Sequence, residues 1–272
     1  MDQLSGRVAV VTGAASGIGL AMAERFGAEG MRLVLADVEA GPLEAVASRL
    51  RATGLDVEAL RVDVSDPDQV QALADAAMAR FGAVHVVCNN AGVVTMGPVW
   101  EQPLDDWRWV LGVNLWGVVH GVRAFLPILL EQGEPAHVVN TASIAGLVPS
   151  PGIGPYNVSK SGVVALSESL RLDLEARDAP IGVSVVCPGA VPTRIAESGR
   201  NRPGGAGAPL DIPTQADPPP SALRPEQIAD RVVEAITSDR FWVVTHERSM
   251  GLVRDRTDRI ARGEAPAAPP VF

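Results

Sequence analysis

The chain has 272 residues, a net charge of −9 and a pI near 5.0, and is 47% hydrophobic and 20% charged. That length suits one large α/β domain or two small ones, and so acidic a surface would repel phosphate backbones, which excludes a nucleic-acid partner. The start "MDQLSGRVAVVTG" lacks a signal peptide's basic head, and no run reaches the roughly 18 apolar residues of a membrane span, so a cytoplasmic protein without a membrane partner is expected.

In chain order, apolar β-type runs alternate with Ala-, Leu- and Glu-rich stretches of helical length. Strands are predicted at 7–12, 32–37, 57–63, 84–89, 136–143, 182–187 and 241–245. Helices are predicted at 17–30, 40–53, 67–81, 103–131, 157–178 and 225–238, with Ser65 or Asp66 starting the one that opens on Pro67. The strands are continuously apolar rather than alternating, which suits parallel strands buried on both faces. The expectation is α/β, a doubly wound, predominantly parallel seven-stranded sheet with helices on both faces, in one domain over 1–263. Residues 198–224 are dense in Pro and Gly, and about 194–224 is expected to form a substrate loop or lid. The tail 264–272 is expected to be flexible. Cys88 and Cys187 each close an apolar run and read as buried reduced thiols. No His, Cys or Asp cluster has metal-ligand spacing, so no metal is expected.

"TGAASGIG" joins the first strand to the first helix. Its Gly13, Gly17 and Gly19, with Ser16 and Ile18 between them, would let a pyrophosphate approach bare N–H groups at a helix N-terminus. Asp37 closes the second strand, where a carboxylate accepts from the adenosine ribose hydroxyls and repels a 2′-phosphate. Like charges ~4 Å apart at an effective dielectric near 20 cost roughly 4 kcal/mol. Neither Ser16 nor Val38 is basic enough to relieve this, so NAD is expected over NADP. Asp63, followed by Val64, ends the third strand and either meets the adenine amino group or caps the next helix. The only tyrosine and the only lysine, Tyr156 and Lys160, lie four apart in "PYNVSK". On a helix that spacing puts both on one face.

With "NNAG" at 89–92, Asn114, Ser143, "YNVSK" at 156–160 and "PG" at 188–189, the sequence resembles the short-chain dehydrogenase/reductase family over residues 7 to about 195. The resemblance implies a single-domain Rossmann fold, hydride transfer between NAD(H) or NADP(H) and an alcohol or carbonyl, and a homotetramer or homodimer joined through the helices at 103–131 and 157–178. It implies Tyr156 as general acid/base, Lys160 tuning it and holding the nicotinamide ribose, Ser143 binding the substrate oxygen, and Asn114 keeping a relay water. A nearby ammonium should lower the tyrosine pKa from its ordinary value near 10. Asn90, Ala91 and Gly92 lie beside the cofactor, Asn89 steadies the central sheet, and Pro188, Gly189, Val191 and Thr193 follow the sixth strand at the nicotinamide.

The substrate walls 93–97, 144–154 and about 194–224 are largely apolar, so an apolar secondary alcohol or ketone is expected; Arg194, Arg200 and Arg202 leave an anionic handle open. An NADPH-dependent carbonyl or 3-oxoacyl thioester reductase is the rival within the class, and a non-catalytic dinucleotide-binding regulatory protein the rival outside it. Trp100, Trp107, Trp109 and Trp116 read as core or subunit-interface packing. His246 reads as a surface residue, with a pocket or subunit contact as the alternative.

Overall fold

The computed structural model describes residues 1, 3–204 and 221–269. Seven parallel strands form one sheet in the order β3-β2-β1-β4-β5-β6-β7. They are β1 Val8–Thr12, β2 Arg32–Asp37, β3 Val57–Arg61, β4 Val86–Asn89, β5 Ala136–Thr141, β6 Ile181–Cys187 and β7 Trp242–Val244. The order reverses between β1 and β4, and the crevice beyond the carboxyl ends of those two strands is where such a sheet takes its ligand.

The continuous apolar runs are explained by burial on both faces. In β1, Ala9 and Val11 face one core while Val8 and Val10 face the other, and all four are fully buried. On the first face lie α1 (Gly17–Ala28), α2 (Ala40–Ala52) and α8 (Pro225–Thr237), contributing Phe26, Leu43 and Ile236. On the second lie α3 (Pro67–Phe81), α5 (Gly117–Gln132) and α7 (Gly154–Ala176), contributing Leu73, Phe125 and Leu174. Asp66, not Ser65, caps α3, accepting from the N–H groups of Asp68 and Gln69 with Pro67 in the first turn.

The helix predicted at 103–131 is α4 (Leu104–Leu111), a π turn at Gly112–Trp116, then α5. By length and composition this stretch could cross a membrane, yet Gly121, Ala124, Phe125 and Leu129 are buried against the sheet and α3. Three elements were not anticipated: α6 (Ile144–Leu147), a 3-10 turn at Arg194–Asn201, and α9 (Glu247–Arg262). Helix α9 buries only Ser249, so it carries almost no apolar signal to read. The expected tail is described through residue 269, exposed and without regular structure over 264–268; residues 270–272 lie outside the described residues. So do residues 205–220 of the expected lid. Cys88 and Cys187 are free, buried thiols. Of the tryptophans, Trp100 and Trp116 are exposed, not core, while Trp109 lines the crevice.

Candidate active site

A crevice of about 250 Å³ opens at the carboxyl edge of the sheet. It gathers nearly every residue singled out in the sequence: Gly13, Ser16, Gly17 and Ile18; Asp37; Asp63 and Val64; Asn90, Ala91 and Gly92; Ser143, Tyr156 and Lys160; and Pro188, Gly189, Val191 and Thr193. Gly19 and Asn114 sit behind this surface rather than on it.

The loop between β1 and α1 is shaped by glycine. Gly13 has φ +67°, a left-handed conformation, and a Cβ there would come within 2.9 Å of the Ala91 Cα. A Cβ on Gly19 would collide with the Gly13 carbonyl. No side chain caps α1, for Ser16 makes no such bond, so the first-turn N–H groups are free for an anion. The β1 end is tied to its neighbours by Thr12, which the sequence reading passed over. Its hydroxyl donates to the Cys88 carbonyl and accepts from the Asn90 and Ala91 N–H groups at 2.9 and 3.2 Å. The Asn90 amide donates to the Thr12 carbonyl, and its oxygen accepts from the Thr141 hydroxyl.

Asp37 accepts from the N–H groups of Ala15 and Glu39, both at 3.0 Å. Burial raises its pKa; these two bonds and the charge of Arg200 pull it back. Arg200 was not foreseen here. It arrives on the 3-10 turn, 161 residues from Glu39 in sequence, and forks onto that carboxylate through Nε (2.9 Å) and Nη2 (2.5 Å). The basic partner sought at positions 16 and 38 thus comes from a distant segment. Asp63 turns back on its own loop and accepts from the Ser65 N–H and hydroxyl.

At the other end, α7 places Tyr156 and Lys160 one turn apart, with the ammonium 5.7 Å from the phenol ring centre. Lys160 is 2% exposed and donates to the Thr141 carbonyl at 2.7 Å. Burial pushes its pKa down to about 8. Tyr156 goes the opposite way to expectation: burial raises its pKa, and only the hydrogen bond with Ser143 lowers it. The ammonium does not offset the desolvation that both groups share. Ser143 caps α6, accepting from the Ala145 N–H and facing the Pro188 carbonyl.

Asn114 is fully buried in the π turn. Its oxygen accepts from the Val93 N–H at 2.8 Å; its amide donates to the Val93 carbonyl and to Ser159. Ser159 in turn donates to the Tyr156 carbonyl. The side chain expected to keep a water bonds the loop at Val93 and Ser159 of α7, and π turns recur at functional sites. Asn89 donates to Asn140 across β4 and β5, inside the sheet as expected.

His246 is not a surface residue. It is half-buried, its pKa lowered by burial, and its ring bonds to Gly189, Ala190 and Thr245. A rare histidine just past an edge strand was the available signal, but its loop partners Ala190 and Gly189 lie 56 and 57 residues away. Among the described residues no cluster of His, Cys, Asp and Glu could hold a metal ion.

Comparison with known proteins agrees with this geometry. A family model described as short chain dehydrogenase matches residues 7–203. A 1-deoxy-11-beta-hydroxypentalenate dehydrogenase of Streptomyces arenae is 43% identical, with 97% of this chain and 90% of the relative covered. A C alpha-dehydrogenase of Sphingobium is 32% identical over 90% of this chain and 82% of its own. The crystal structure of a short chain dehydrogenase/reductase from Burkholderia phymatum in complex with NAD superposes with a TM-score of 0.94, 44% identity and full coverage of both chains. A glycine turn at the sheet's reversal point, a tyrosine and lysine on one helical face, and relatives that match the chain end to end lead to one assignment: this protein is an oxidoreductase of the short-chain dehydrogenase/reductase family.

Proposed function

We propose that the protein transfers a hydride between NAD(H) and a secondary alcohol or ketone of largely apolar character, with Tyr156 as general acid/base. The carrying observation is the pair on α7: a phenol at the crevice wall, bonded to Ser143, with a buried ammonium one turn below it. Gly13, Gly17 and the uncapped start of α1 suit a pyrophosphate, Asp37 suits a ribose, and Pro188 to Thr193 would flank the nicotinamide. When bound, the nicotinamide accepts or returns the hydride.

In the reducing direction Tyr156 gives its proton to the carbonyl oxygen, and the burial that raises its pKa keeps that proton in place beforehand. In the oxidising direction Tyr156 must first lose it, and a positive nicotinamide ring would supply the attraction that the protein alone does not. Ser143 steadies the oxygen as charge develops there. Lys160 supplies positive charge beneath the phenol and binds the ribose hydroxyls. The dehydrogenase relative from Streptomyces carries a name that specifies an alcohol, hydroxypentalenate, which accords with this reading. A homotetramer or homodimer would join through the helices at 103–131 and 157–178; the exposed apolar Trp116, Val158 and Leu172 on these segments support that reading.

One observation favours the second reading, an NADPH-dependent reductase: Arg200 stands beside Asp37 and Glu39. Its charge is committed to Glu39, which keeps NAD in front. Fluorescence titration with NADH and NADPH, followed by a panel of alcohols read at the nicotinamide absorbance, decides the matter. Tight NADPH binding with no NADH binding would overturn the cofactor assignment; no turnover of any alcohol or ketone would overturn the reaction.

A further inference from the structure

We propose that His246 is a positioning residue that braces the loop after β6, in its neutral form only, and so sets the affinity for the nicotinamide half of the dinucleotide. This rests on the reading above that residues 188–193 flank the nicotinamide.

Two backbone groups beside the ring have fixed roles. The Gly189 N–H can only donate, and it meets His246 Nδ1 at 3.1 Å. The Ala190 carbonyl can only accept, and it meets His246 Nε2 at 3.1 Å. Nδ1 must therefore be bare and Nε2 must carry the hydrogen. The ring is a neutral imidazole of one tautomer, chosen by the backbone. The Thr245 hydroxyl, 2.8 Å from Nδ1, has to donate as well. The fit is tight: a Cβ at Gly189 would stand 2.9 Å from Nδ1.

The rest of the loop is held from other directions. The Pro188 carbonyl accepts from the Ile144 N–H at 2.8 Å, and the Ala190 carbonyl also accepts from the Leu223 N–H at 3.1 Å. The Gly189 N–H has His246 as its partner. Protonating Nδ1 would set N–H against N–H and hydroxyl and break that grip. On balance the surroundings oppose protonation: burial lowers the pKa of His246, the Ala190 carbonyl pulls it back up, and Arg231 of α8, which donates to the Thr245 carbonyl, adds repulsion. Glu247 and Arg248 follow the ring on its own helix. As burial depresses the pKa from its ordinary 6.5, the brace is intact at pH 6.5 and above and is lost only as pH falls through the lowered folded-state value.

The test compares NADH with ADP-ribose, which lacks the nicotinamide. Binding is measured between pH 5 and 7, below the range in which Lys160 titrates. His246→Ala should weaken NADH about tenfold at pH 7, the scale expected for two lost hydrogen bonds, and change ADP-ribose less than about twofold. In the wild type, NADH affinity should fall several-fold from pH 7 to pH 5 while ADP-ribose affinity does not, which separates His246 from Asp37. His246→Gln offers one acceptor and one donor without titrating. It should bind NADH as the wild type does at pH 7 and lose the differential pH dependence. Wild-type pH behaviour in either variant, or equal weakening of both ligands in His246→Ala, would overturn the proposal. Wild-type protein that binds ADP-ribose and NADH equally well at pH 7 would defeat the nicotinamide reading itself, and the proposal with it.

Discussion

The two ends of the crevice are built by different means. Apart from Arg200, the Asp37 end comes from three successive strand-to-helix turns within the first 65 residues, with local hydrogen bonds such as Glu39 to Asp37 and Ser65 to Asp63. The Tyr156 end draws on six separated segments, joined by contacts such as Asn114 to Ser159, Ser143 to Pro188 and His246 to Gly189, 45 to 57 residues apart. The chemistry differs accordingly. At the Asp37 end, a carboxylate raised by burial is drawn back by backbone N–H groups and a guanidinium, so charge is balanced in place. At the Tyr156 end, burial goes without full compensation, so the phenol rises and the ammonium falls to about 8. Binding is settled where charges are matched, and proton transfer where they are left mismatched.

If that division holds, Tyr156→Phe has the largest effect and a one-sided one. It should lower kcat by about a thousandfold or more, within the range for losing a positioned acid/base, and leave the NADH Kd within about threefold. Stopped-flow turnover alongside NADH fluorescence checks this. A variant that keeps its rate removes the phenol from the mechanism.

The next effect belongs to the other end. Glu39→Gln would release Arg200 while Asp37 still repels a 2′-phosphate; Asp37→Ser combined with it would remove both carboxylates. The double variant should shift the NADPH-to-NADH affinity ratio by about a hundredfold, short of the thousandfold that an unrelieved ~4 kcal/mol repulsion implies. Glu39→Gln alone should give about a tenth of that shift. A ratio that does not move would mean Arg200 is not facing the ribose.

Lys160 tests whether the mismatch at the Tyr156 end costs stability. Its pKa lies at about 8 in the folded chain against an ordinary 10.5, so folding disfavours the charged form. The penalty is complete below pH 8, is relieved as pH rises toward 10.5, and corresponds to about 3 kcal/mol. Lys160→Met escapes it but leaves the Thr141 carbonyl without its donor, a loss of ~1–2 kcal/mol. The variant should therefore be inactive yet about 1–2 kcal/mol more stable than the wild type in urea at pH 7, with the advantage gone near pH 10.5. A less stable variant at pH 7 would show that the buried ammonium is better satisfied than its surroundings suggest.

The same division governs what could be read from sequence. Strands were legible because burial on both faces leaves an unbroken apolar run, and β2 and α3 fall on their predicted bounds. The glycine turn and the Tyr156–Lys160 pair were legible because their geometry depends on spacings of a few residues. Arg200, His246 and Thr12 were not, since each acts through a partner far along the chain. The π turn was hidden because Asn114 announces a buried amide without saying what bonds it. The direction of the Tyr156 shift was missed because desolvation belongs to the packed site and has no local sequence signature.

The smallest effect concerns the segment that spans the two ends. The 3-10 turn reaches Glu39 through Arg200, binds the Val94 backbone through Ser198, and ends beside α4, where Arg202 pairs with Asp106 at 2.5 Å outside hydrogen-bond geometry. Arg202 is about one-third exposed, so its attraction is screened, although Asp106 itself is buried. Pairs of this kind contribute roughly 0.5–1 kcal/mol. Arg202→Leu should raise the KM for the alcohol two- to threefold, leave NADH binding alone, and mimic what ~1 M salt does to the wild type. Because Arg200 remains on Glu39, the turn stays anchored at the Asp37 end and loosens only over the substrate side, where Ser198 still holds Val94. Should NADH binding weaken in step with KM, the turn moves as one piece, and the two ends are coupled through it rather than independent.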